Sequence, residues 1–459
     1  MTTRAQRLWL VVWLLIGAVL LARATARPET RGVILDHLEF GRRLWTGADV
    51  HGPWKPDPAA PVLPLHAPYP PSFGLLTGPF AAVDALLGHR AARGAWALLQ
   101  LGCLVWIARV LRERLLAAPT LAPPGAATPA VLPPASPRWH LLWLLTALLS
   151  LRFLLRDLHG GGGNLINLAL CLSAFAAAER GHAGRAGLLL AFSLVTKPTM
   201  VWLLPVFWLL GHRRAIAATV AGAAAFVMLT LVLQRFDVAP WTRWLSGSYA
   251  LATQADAFAD PAFDFPDFEW MNQSLRCALA RWLGDVPAEF AAKVEWGVWP
   301  GLGLSVATVQ WITRAVSAAL SALVLWTAWR ARGTPGARLP AFAAALALSL
   351  LLSPLSWKAH HVALLPILFL LVHRAVVARS RGTWWLLGAW LVCCQLGGDL
   401  VGDAADEWGN SLYVVTAWDV GLLAIAVGIA RQSAGAPRAR YSANDAAATL
   451  APQTINPTR

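Results

Sequence analysis

Residues 8–22, LWLVVWLLIGAVLLA, form an apolar run, and residues 27–52, RPETRGVILDHLEFGRRLWTGADVHG, form the hydrophilic stretch that follows it. Arg4 and Arg7 precede the apolar run, which predicts a membrane-crossing helix whose start lies inside. The small residues of ARATA, residues 22–26, leave removal of this helix as a signal peptide as the alternative. In both interpretations residues 27–87 form the first loop outside the membrane.

The composition identifies the broad class of the protein. Of its 459 residues, 57% are hydrophobic and 14% are charged, and the mean hydropathy is +0.53. A soluble domain carries closer to a quarter charged residues, so this composition predicts an all-α polytopic membrane protein. The net charge of +14 does not indicate nucleic-acid binding, because the arginines form short clusters between apolar runs. The five cysteines show neither a disulfide framework nor metal-ligand spacing.

The apolar runs predict about twelve transmembrane helices with both chain ends inside. The predicted spans are residues 1–26, 94–110, 139–156, 164–179, 185–196, 199–211, 214–234, 303–329, 339–353, 361–378, 383–398 and 411–430. Residues 73–87 are not counted, because this run is short and contains Pro79 and Asp84. We expect it to be re-entrant or interfacial. Counting it as a full span would put the arginine clusters outside, against the positive-inside rule.

The spans and their loops are predicted to form one membrane domain over residues 1–430. Residues 112–138, rich in Pro and Ala, are expected to be a cytoplasmic linker, and residues 235–302 a large outer loop. The polar residues 431–459 are expected to be a disordered cytoplasmic tail.

On this topology the unusual polar turns all fall on the outer side. They are the loop with Asp36, the YPP run with Tyr69, HGGGGN with Asn164, TKP with Lys197, WMNQSLR with Asn272, Gln273 and Arg276, and SPLSWKAHH with Lys358, His360 and His361. Cationic and histidine side chains near a carboxylate suit an anionic lipid headgroup. The cations can stabilise a leaving phosphate, and the carboxylate can deprotonate an attacking hydroxyl.

Each turn also has a simpler interpretation. Asp36 can be a solvated loop acid, and Lys197 can be a helix-end cation that reaches the interface. Asn272 begins a glycosylation sequon, which we discount because the composition is bacterial in character. The four glycines at 160–163 can form a flexible turn, or can let a ligand approach backbone amides. DFPDFE, residues 264–269, is the nearest metal-binding candidate and is better explained as a solvated loop, so no metal and no cofactor are expected.

The chain resembles glycosyltransferase family 87, membrane enzymes of the C-type superfamily that use polyprenyl-phosphate sugars, typically mannose. The resemblance extends from about Asp36 to about His373. It is carried by six stretches in the order of the family: LWTGADVHG (44–52), YPPSFGLLTGPFA (69–81), GGGNLINLAL (161–170), AGLLLAFSLVTKPTMVWLLPVFWLL (186–210), MNQSL (271–275) and LSPLSWKAHHVALLPIL (352–368).

The resemblance implies a C-type glycosyltransferase fold with its active site at the outer face. It implies that Asp36 is the general base, that His360 and His361 contact the donor phosphate, and that Lys197 occupies the family's Lys-Pro turn. Beside these we expect Lys358 at the donor phosphate. Substrate contacts are expected from Tyr69, Asn164, Asn272, Gln273 and Arg276. One position departs from the family pattern, since Gly162 stands where the family usually has Gln.

The expected function is an inverting transfer of a hexose, most simply mannose, from a polyprenyl-phosphate donor to a lipid- or glycan-linked hydroxyl. The active site is expected on the periplasmic side of a bacterial plasma membrane. A lipid-linked-sugar flippase or transporter is the alternative, although transporters tend to show paired broken helices and only one such pair, at Lys197-Pro198, is evident in the sequence. A structural assembly subunit would not explain why the polar turns share one side.

Overall fold

The computed structural model describes residues 4–26, 33–54, 63–64, 69–116, 136, 138–259, 270–377 and 379–435. The DFPDFE run, most of the predicted linker and the tail beyond residue 435 lie outside them. The described chain is helical apart from two short antiparallel strands, β1 (Pro53–Trp54) and β2 (Leu63–Pro64). The helices are α1 (Arg4–Thr25), α2 (Ile34–Thr46), α3 (Phe73–Leu87), α4 (His89–Leu116), α5 (Arg138–Leu148), α6 (Leu151–Gly160), α7 (Asn164–Glu179), α8 (Ala183–Thr196), α9 (Leu203–Leu209), α10 (Arg213–Leu233), α11 (Ala239–Thr253), α12 (Leu275–Leu283), α13 (Ala288–Ala291), α14 (Val306–Ala331), α15 (Pro335–Leu352), α16 (Leu365–Val377), α17 (Arg381–Trp390), α18 (Gly398–Val401), α19 (Asp403–Ser411) and α20 (Val414–Gly435).

Seven helical segments in the described residues are long and apolar enough to cross a membrane. They are Gln6–Thr25, His89–Leu115, Arg213–Leu233, Val306–Ala331, Pro335–Leu352, Lys358–Val377 and Val414–Gly435. Two bent pairs raise the count to nine when each is taken as one span: α6 with α7 at 111°, and α8 with residues 198–209 at 120°. The protein is therefore a polytopic membrane protein, and the predicted number of twelve spans is not confirmed.

The difference in number arises where predicted spans are broken. The span expected at 139–156 is divided at Ser150 into α5 and the beginning of α6, which have 11 and 10 residues. At 1.5 Å per residue each is about 15 Å long, half of the hydrocarbon core. The span expected at 383–398 is divided between α17 and a π-helical turn, Leu391–Gln395. The second bent pair, α6 with α7, was not evident in the sequence.

Helix α3 is too short to cross a membrane, and it packs closely on α2. A Cβ added at Gly74 would lie 2.6 Å from the Leu44 Cβ, and one at Gly78 would overlap the Trp45 indole. On α2, a Cβ at Gly41 would lie 2.7 Å from the backbone of Thr77 and Gly78. These glycines allow two backbones to approach more closely than larger side chains would permit. The contact fixes α2, the helix that carries Asp36.

The core of the bundle is built around α15, which packs on α14 and α20 and whose residues are almost all buried. The alanines of α15 allow neighbouring helices to pack closely on several of its sides. Helix α7 forms a second centre, packed between α4 and α8. Its first residue, Asn164, and its last, Glu179, lie at opposite ends of the bundle.

The two ends of the bundle differ in chemistry. At the Glu179 end, the Glu179 carboxylate accepts hydrogen bonds from His212 and Arg338, both at 2.9 Å. Arg180 pairs with Glu113 at the same end. At the Asn164 end, the Val33 N–H donates to the Gly160 carbonyl and Ser72 donates to the Val195 carbonyl, so turns distant in the sequence are joined. The arginines that pair with Glu179 and Glu113 thus lie at one end of α7, and the turns that contain Gly160 and Asn164 lie at the other.

Candidate functional site

Asp36 lies in the first turn of α2, at the polar end of the bundle. Its carboxylate is half-buried and has no hydrogen bond or ion pair in the part of the chain that the structure describes. The nearest acid on the same helix, Glu39, already pairs with Arg42 and Arg43. Burial raises the pKa of Asp36 to about 6. An unpaired carboxylate with a pKa close to neutrality is suited to accept a proton.

His37 and Tyr69 form the wall beside Asp36. The Tyr69 ring stacks on Phe73 at 4.1 Å between centroids, and the His37 ring meets Tyr69 edge-on at 5.2 Å. Burial and the positive charge of Lys197 lower the pKa of His37 to about 3, so its imidazole is neutral. Burial, with contributions from the carboxylates Asp157 and Asp36, raises the pKa of the Tyr69 phenol well above its usual value. Tyr69 thus lies close to both carboxylates.

Lys197 lies at the break between α8 and the 3₁₀ turn Pro198–Met200, with its ammonium over the Tyr69 ring. Its side chain is 4% exposed, its Nζ donates to the Gly162 carbonyl at 3.0 Å, and it lies 5.4 Å from the centroid of the Tyr69 ring. The Asn167 amide donates to the Lys197 carbonyl at 3.4 Å. Pro198 cannot continue the hydrogen bonding of α8, which leaves the lysine at the end of a half-length helix.

Asp157, which was not among the predicted site residues, caps the N-terminus of α7. Its Oδ1 accepts hydrogen bonds from the Asn164 N–H at 3.1 Å and from Asn164 Nδ2 at 2.7 Å. Its Oδ2 accepts from the Leu165 N–H at 2.9 Å. The idea that a ligand approaches the amides after the four glycines is therefore wrong for Asn164 and Leu165, because Asp157 occupies both. Asn164, a predicted substrate contact, is buried and binds Asp157.

His360 and His361 have different surroundings. Nδ1 of His360, which is half-buried, accepts a hydrogen bond from the Trp357 N–H at 3.1 Å, and His360 lies within electrostatic range of Lys197. His361 is fully buried, with Nε2 2.8 Å from Asp419 Oδ2 and Nδ1 3.1 Å from the Trp357 carbonyl oxygen. Of the two histidines only His360 is partly exposed, and contact between His360 and a donor phosphate is likewise a prediction. Contact between His361 and a donor phosphate stays a prediction.

Lys358 belongs to a neighbouring ionic cluster. Its Nζ lies 3.1 and 3.4 Å from the two carboxylate oxygens of Asp406, which also pairs with Arg152. Burial raises the pKa of Asp406 but Lys358 and Arg152 lower it, so that it falls below its ordinary value. This cluster joins α6 and α19 to the turn before α16. Lys358 is thus engaged with protein, 5% exposed.

Asn272, Gln273 and Arg276 are placed to hold loops together. Asn272 Oδ1 accepts from the Ser356 N–H at 2.9 Å, while Nδ2 donates to the Pro354 carbonyl at 2.9 Å. Gln273 is likewise fully buried and bound to the backbone of Trp270 and Asn410. Arg276 donates to the Leu251 carbonyl at 2.6 Å. Asn272 is 0% exposed, which is unlike a glycosylation acceptor.

Replacing Asn272 with Ala is expected to destabilise the turn at 354–357. The change removes the side-chain bonds to Pro354, Ser356 and Ser274 and leaves the Ser356 N–H buried without its acceptor, which typically costs about 1–3 kcal/mol. Thermal unfolding in detergent should show a lower midpoint than for wild type. Gln310→Ala on α14, whose side chain has no hydrogen bond within the described part of the chain, is the matched control. An unchanged midpoint for Asn272→Ala would contradict this assignment.

The structure therefore brings five predicted residues close together, namely Asp36, Tyr69, Asn164, Lys197 and His360. Lys358 and His361 lie in adjacent buried pairs, and the remaining three predicted residues brace loops. His37, Asp157, Asp406 and Asp419 were missed. The presence of Asp157 within an otherwise apolar and basic run, RFLLRDLHG (152–160), was the available signal. No group of three or more potential metal ligands occurs among the described residues.

Comparison with protein-family profiles matches residues 67–354 to Glycosyltransferase family 87. The match includes Tyr69, Asn164, Lys197 and residues 272–276, whereas Asp36, Lys358, His360 and His361 lie outside it. No curated protein and no solved structure matches the chain. The profile covers more than half of the chain, and the helices cross a membrane several times. The chain belongs to glycosyltransferase family 87, and it is a membrane glycosyltransferase.

Proposed function

We propose that this membrane glycosyltransferase moves a hexose, most simply mannose, from a polyprenyl-phosphate donor to a hydroxyl of a lipid- or glycan-linked acceptor. One observation carries the proposal: the half-buried Asp36 carboxylate, unpaired among the described residues, and the buried Lys197 ammonium both lie near the Tyr69 ring. A displacement at the anomeric carbon needs a base at the attacking hydroxyl and a positive charge at the departing phosphate.

In the proposed reaction Asp36 takes the proton of the acceptor hydroxyl while its oxygen forms a bond to the anomeric carbon. The bond between that carbon and the phosphate oxygen breaks, and its electron pair leaves with the polyprenyl phosphate. Lys197 stabilises the departing phosphate electrostatically, and in this proposal His360, on which the Lys197 charge acts, contacts the same phosphate. A single displacement inverts the configuration of the anomeric carbon. The phosphate leaves as a stable anion, which lessens the need for a general acid.

We further propose that the Asp36 end of the bundle faces the periplasm of a bacterium. The opposite end carries Arg114, Arg180, Arg213, Arg332 and Arg338, and arginines accumulate on the cytoplasmic side of membrane proteins. Polyprenyl-linked sugars and lipid acceptors can both reach such a site from the bilayer. Cysteine labelling in a variant without the native cysteines tests the orientation: Ala48→Cys, in the exposed turn after α2, should react only from outside, and Gly333→Cys only from the cytoplasm.

The rate of transfer should rise with pH through about pH 6. The proposed base works only when deprotonated, and burial places the pKa of Asp36 at about 6. Below that pH the carboxyl is protonated and kcat/KM should fall tenfold per pH unit. The measurement is kcat/KM between pH 4.5 and 8 in detergent, with thermal unfolding at each pH to exclude acid denaturation. A profile that is flat across this range would contradict the role of Asp36.

The direct test of the donor uses membranes that contain the protein and radiolabelled polyprenyl-phosphate-mannose. Transfer of label to lipid or glycan supports the proposal, and transfer only from another polyprenyl-phosphate sugar would correct the sugar alone. The absence of transfer from all lipid-phosphate sugars, with transfer from a nucleotide sugar, would overturn the donor class.

A lipid-linked-sugar flippase is the second candidate, because the structure has two bent helix pairs, at residues 161–163 and at Lys197, which meet through the bond from Lys197 to Gly162. Broken helices that meet at a polar site are typical of transporters. Family membership favours transfer. Movement of a fluorescent polyprenyl-phosphate sugar across vesicles without acceptor separates the two, since a transferase should not move it.

A further inference from the structure

We infer that Asp157 is a positioning residue for transfer: it occupies the N-terminus of α7 in the manner of a bound anion and fixes Lys197 through Gly162, so that the donor phosphate is directed to the lysine. This inference deepens the proposed function and rests on it. Asp157 itself is fully buried and faces the helix rather than the substrate.

The N-terminus of α7 would otherwise be an anion site. Four glycines precede it, and its free backbone N–H groups carry the positive end of the helix dipole, an arrangement that binds phosphate in many proteins. Here the Asp157 carboxylate accepts hydrogen bonds from the N–H groups of Asn164 and Leu165. The Asp157 carbonyl accepts a hydrogen bond from the Gly162 N–H at 3.0 Å. The N–H groups of Gly162, Asn164 and Leu165 are therefore already bonded to Asp157 and are not available to a phosphate.

Gly162 connects Asp157 to Lys197. Its carbonyl accepts the hydrogen bond from Lys197 Nζ at 3.0 Å, while a Cβ at this residue would lie 2.4 Å from Asp157 Oδ1. The carboxylate thus takes the space in which a side chain at residue 162 would begin. A longer side chain there would displace Asp157, open the turn and move the carbonyl that holds the lysine.

Lys197 keeps donor capacity for a substrate in this arrangement. An ammonium has three N–H donors, and the described residues provide a hydrogen bond to one of them, at Gly162. Asp157 acts on the lysine electrostatically without the direct contact of an ion pair. The other titratable groups acting on or facing Lys197 are His37 from α2, Tyr69 before α3 and His360 from the 3₁₀ turn Lys358–Leu364. None of these three side chains carries a negative charge at neutral pH, so Asp157 is the carboxylate among these groups that can balance the lysine.

The test compares Asp157→Asn and Gly162→Ala with Asp285→Asn, an exposed control on the loop before α13. If Asp157 positions Lys197, both variants should raise KM for the polyprenyl-phosphate donor about tenfold or more, while KM for the acceptor stays within about twofold. Asp285→Asn should change neither. A fall in kcat with no change in KM for the donor or the acceptor would overturn the inference. Wild-type kinetics in both Asp157→Asn and Gly162→Ala would also overturn it.

A second readout does not depend on transfer. The chain has lysines only at 55, 197, 293 and 358, so amine labelling can be followed for each by mass spectrometry. In Asp157→Asn the pH midpoint of labelling at Lys197 should move down by about one unit, because a nearby negative charge is lost, while the exposed Lys293 is unchanged. A simple opening of the turn would raise the extent of labelling without moving the midpoint, and an unmoved midpoint would refute the inference. If the midpoint moves but wild type does not use a lipid-phosphate donor, the proposed function fails and the coupling of Asp157 to Lys197 stands.

Discussion

Asp36→Asn is expected to abolish measurable sugar transfer while leaving the protein folded. The substitution keeps the size of the side chain, and the carboxylate it replaces has no hydrogen bond or ion pair in the described chain whose loss would disturb α2. Loss of a general base typically lowers the rate about 10²- to 10⁴-fold. The measurement is transfer from the radiolabelled donor in membranes with equal amounts of wild type and variant.

The matched control for this prediction is Asp84→Asn on α3. Asp84 is a carboxylate on the adjoining helix, but it pairs with His89 and is not part of the polar cluster. The Asp84→Asn variant should transfer sugar at the wild-type rate. Binding of polyprenyl phosphate, the product of the reaction, should also be unchanged in Asp36→Asn, because the proposed phosphate contacts lie at Lys197. Equal transfer by wild type and Asp36→Asn would remove Asp36 as the base and with it the proposed mechanism.

The helical class of this protein follows from its sequence because a helix that crosses a membrane must satisfy its own backbone and therefore needs a long apolar run. Runs such as residues 8–22 and 214–234 meet that condition and correspond to α1 and α10. The predicted number of spans is not confirmed where a run of sufficient length is divided. Ser150 separates α5 from α6, and the glycines at 161–163 bend α6 against α7, so apolar length alone does not determine how many of these runs cross.

The residues that form the site were harder to predict than the region of the protein in which it lies. The sequence indicated which turns are polar, and five of those residues do lie together. It could not show which partner satisfies each one, because partners such as Asn272 and Ser356 are 84 residues apart. It also could not separate His360 from His361, since adjacent residues point in different directions from a helix and only His361 faces Asp419. Asp157 was overlooked because its role depends on the path of the glycine turn.

Lys197→Met is expected to be the second variant with a large effect, and it tests the other half of the mechanism. Methionine is unbranched and of similar length, so it can fill the space beside Tyr69 without the charge. Removing one group that stabilises a developing anion typically lowers kcat about 10²- to 10³-fold. Binding of polyprenyl phosphate should weaken as well, which distinguishes this variant from Asp36→Asn. Both are measured with the same membranes and the same donor.

Lys197→Arg and Lys293→Met are the controls that separate charge from structure. Arginine keeps the charge but has a planar group that does not fit the position of a compact ammonium above the Gly162 carbonyl, so partial activity is expected. Lys293 is exposed, and its replacement should have no effect. Loss of the bond to Gly162 in Lys197→Met leaves a buried carbonyl without its donor, so the unfolding midpoint must be measured beside activity. A folded Lys197→Met protein with the kcat and the phosphate affinity of wild type would place the leaving group elsewhere, and the ionic cluster of Lys358 and Arg152 would then be the next cationic site to test.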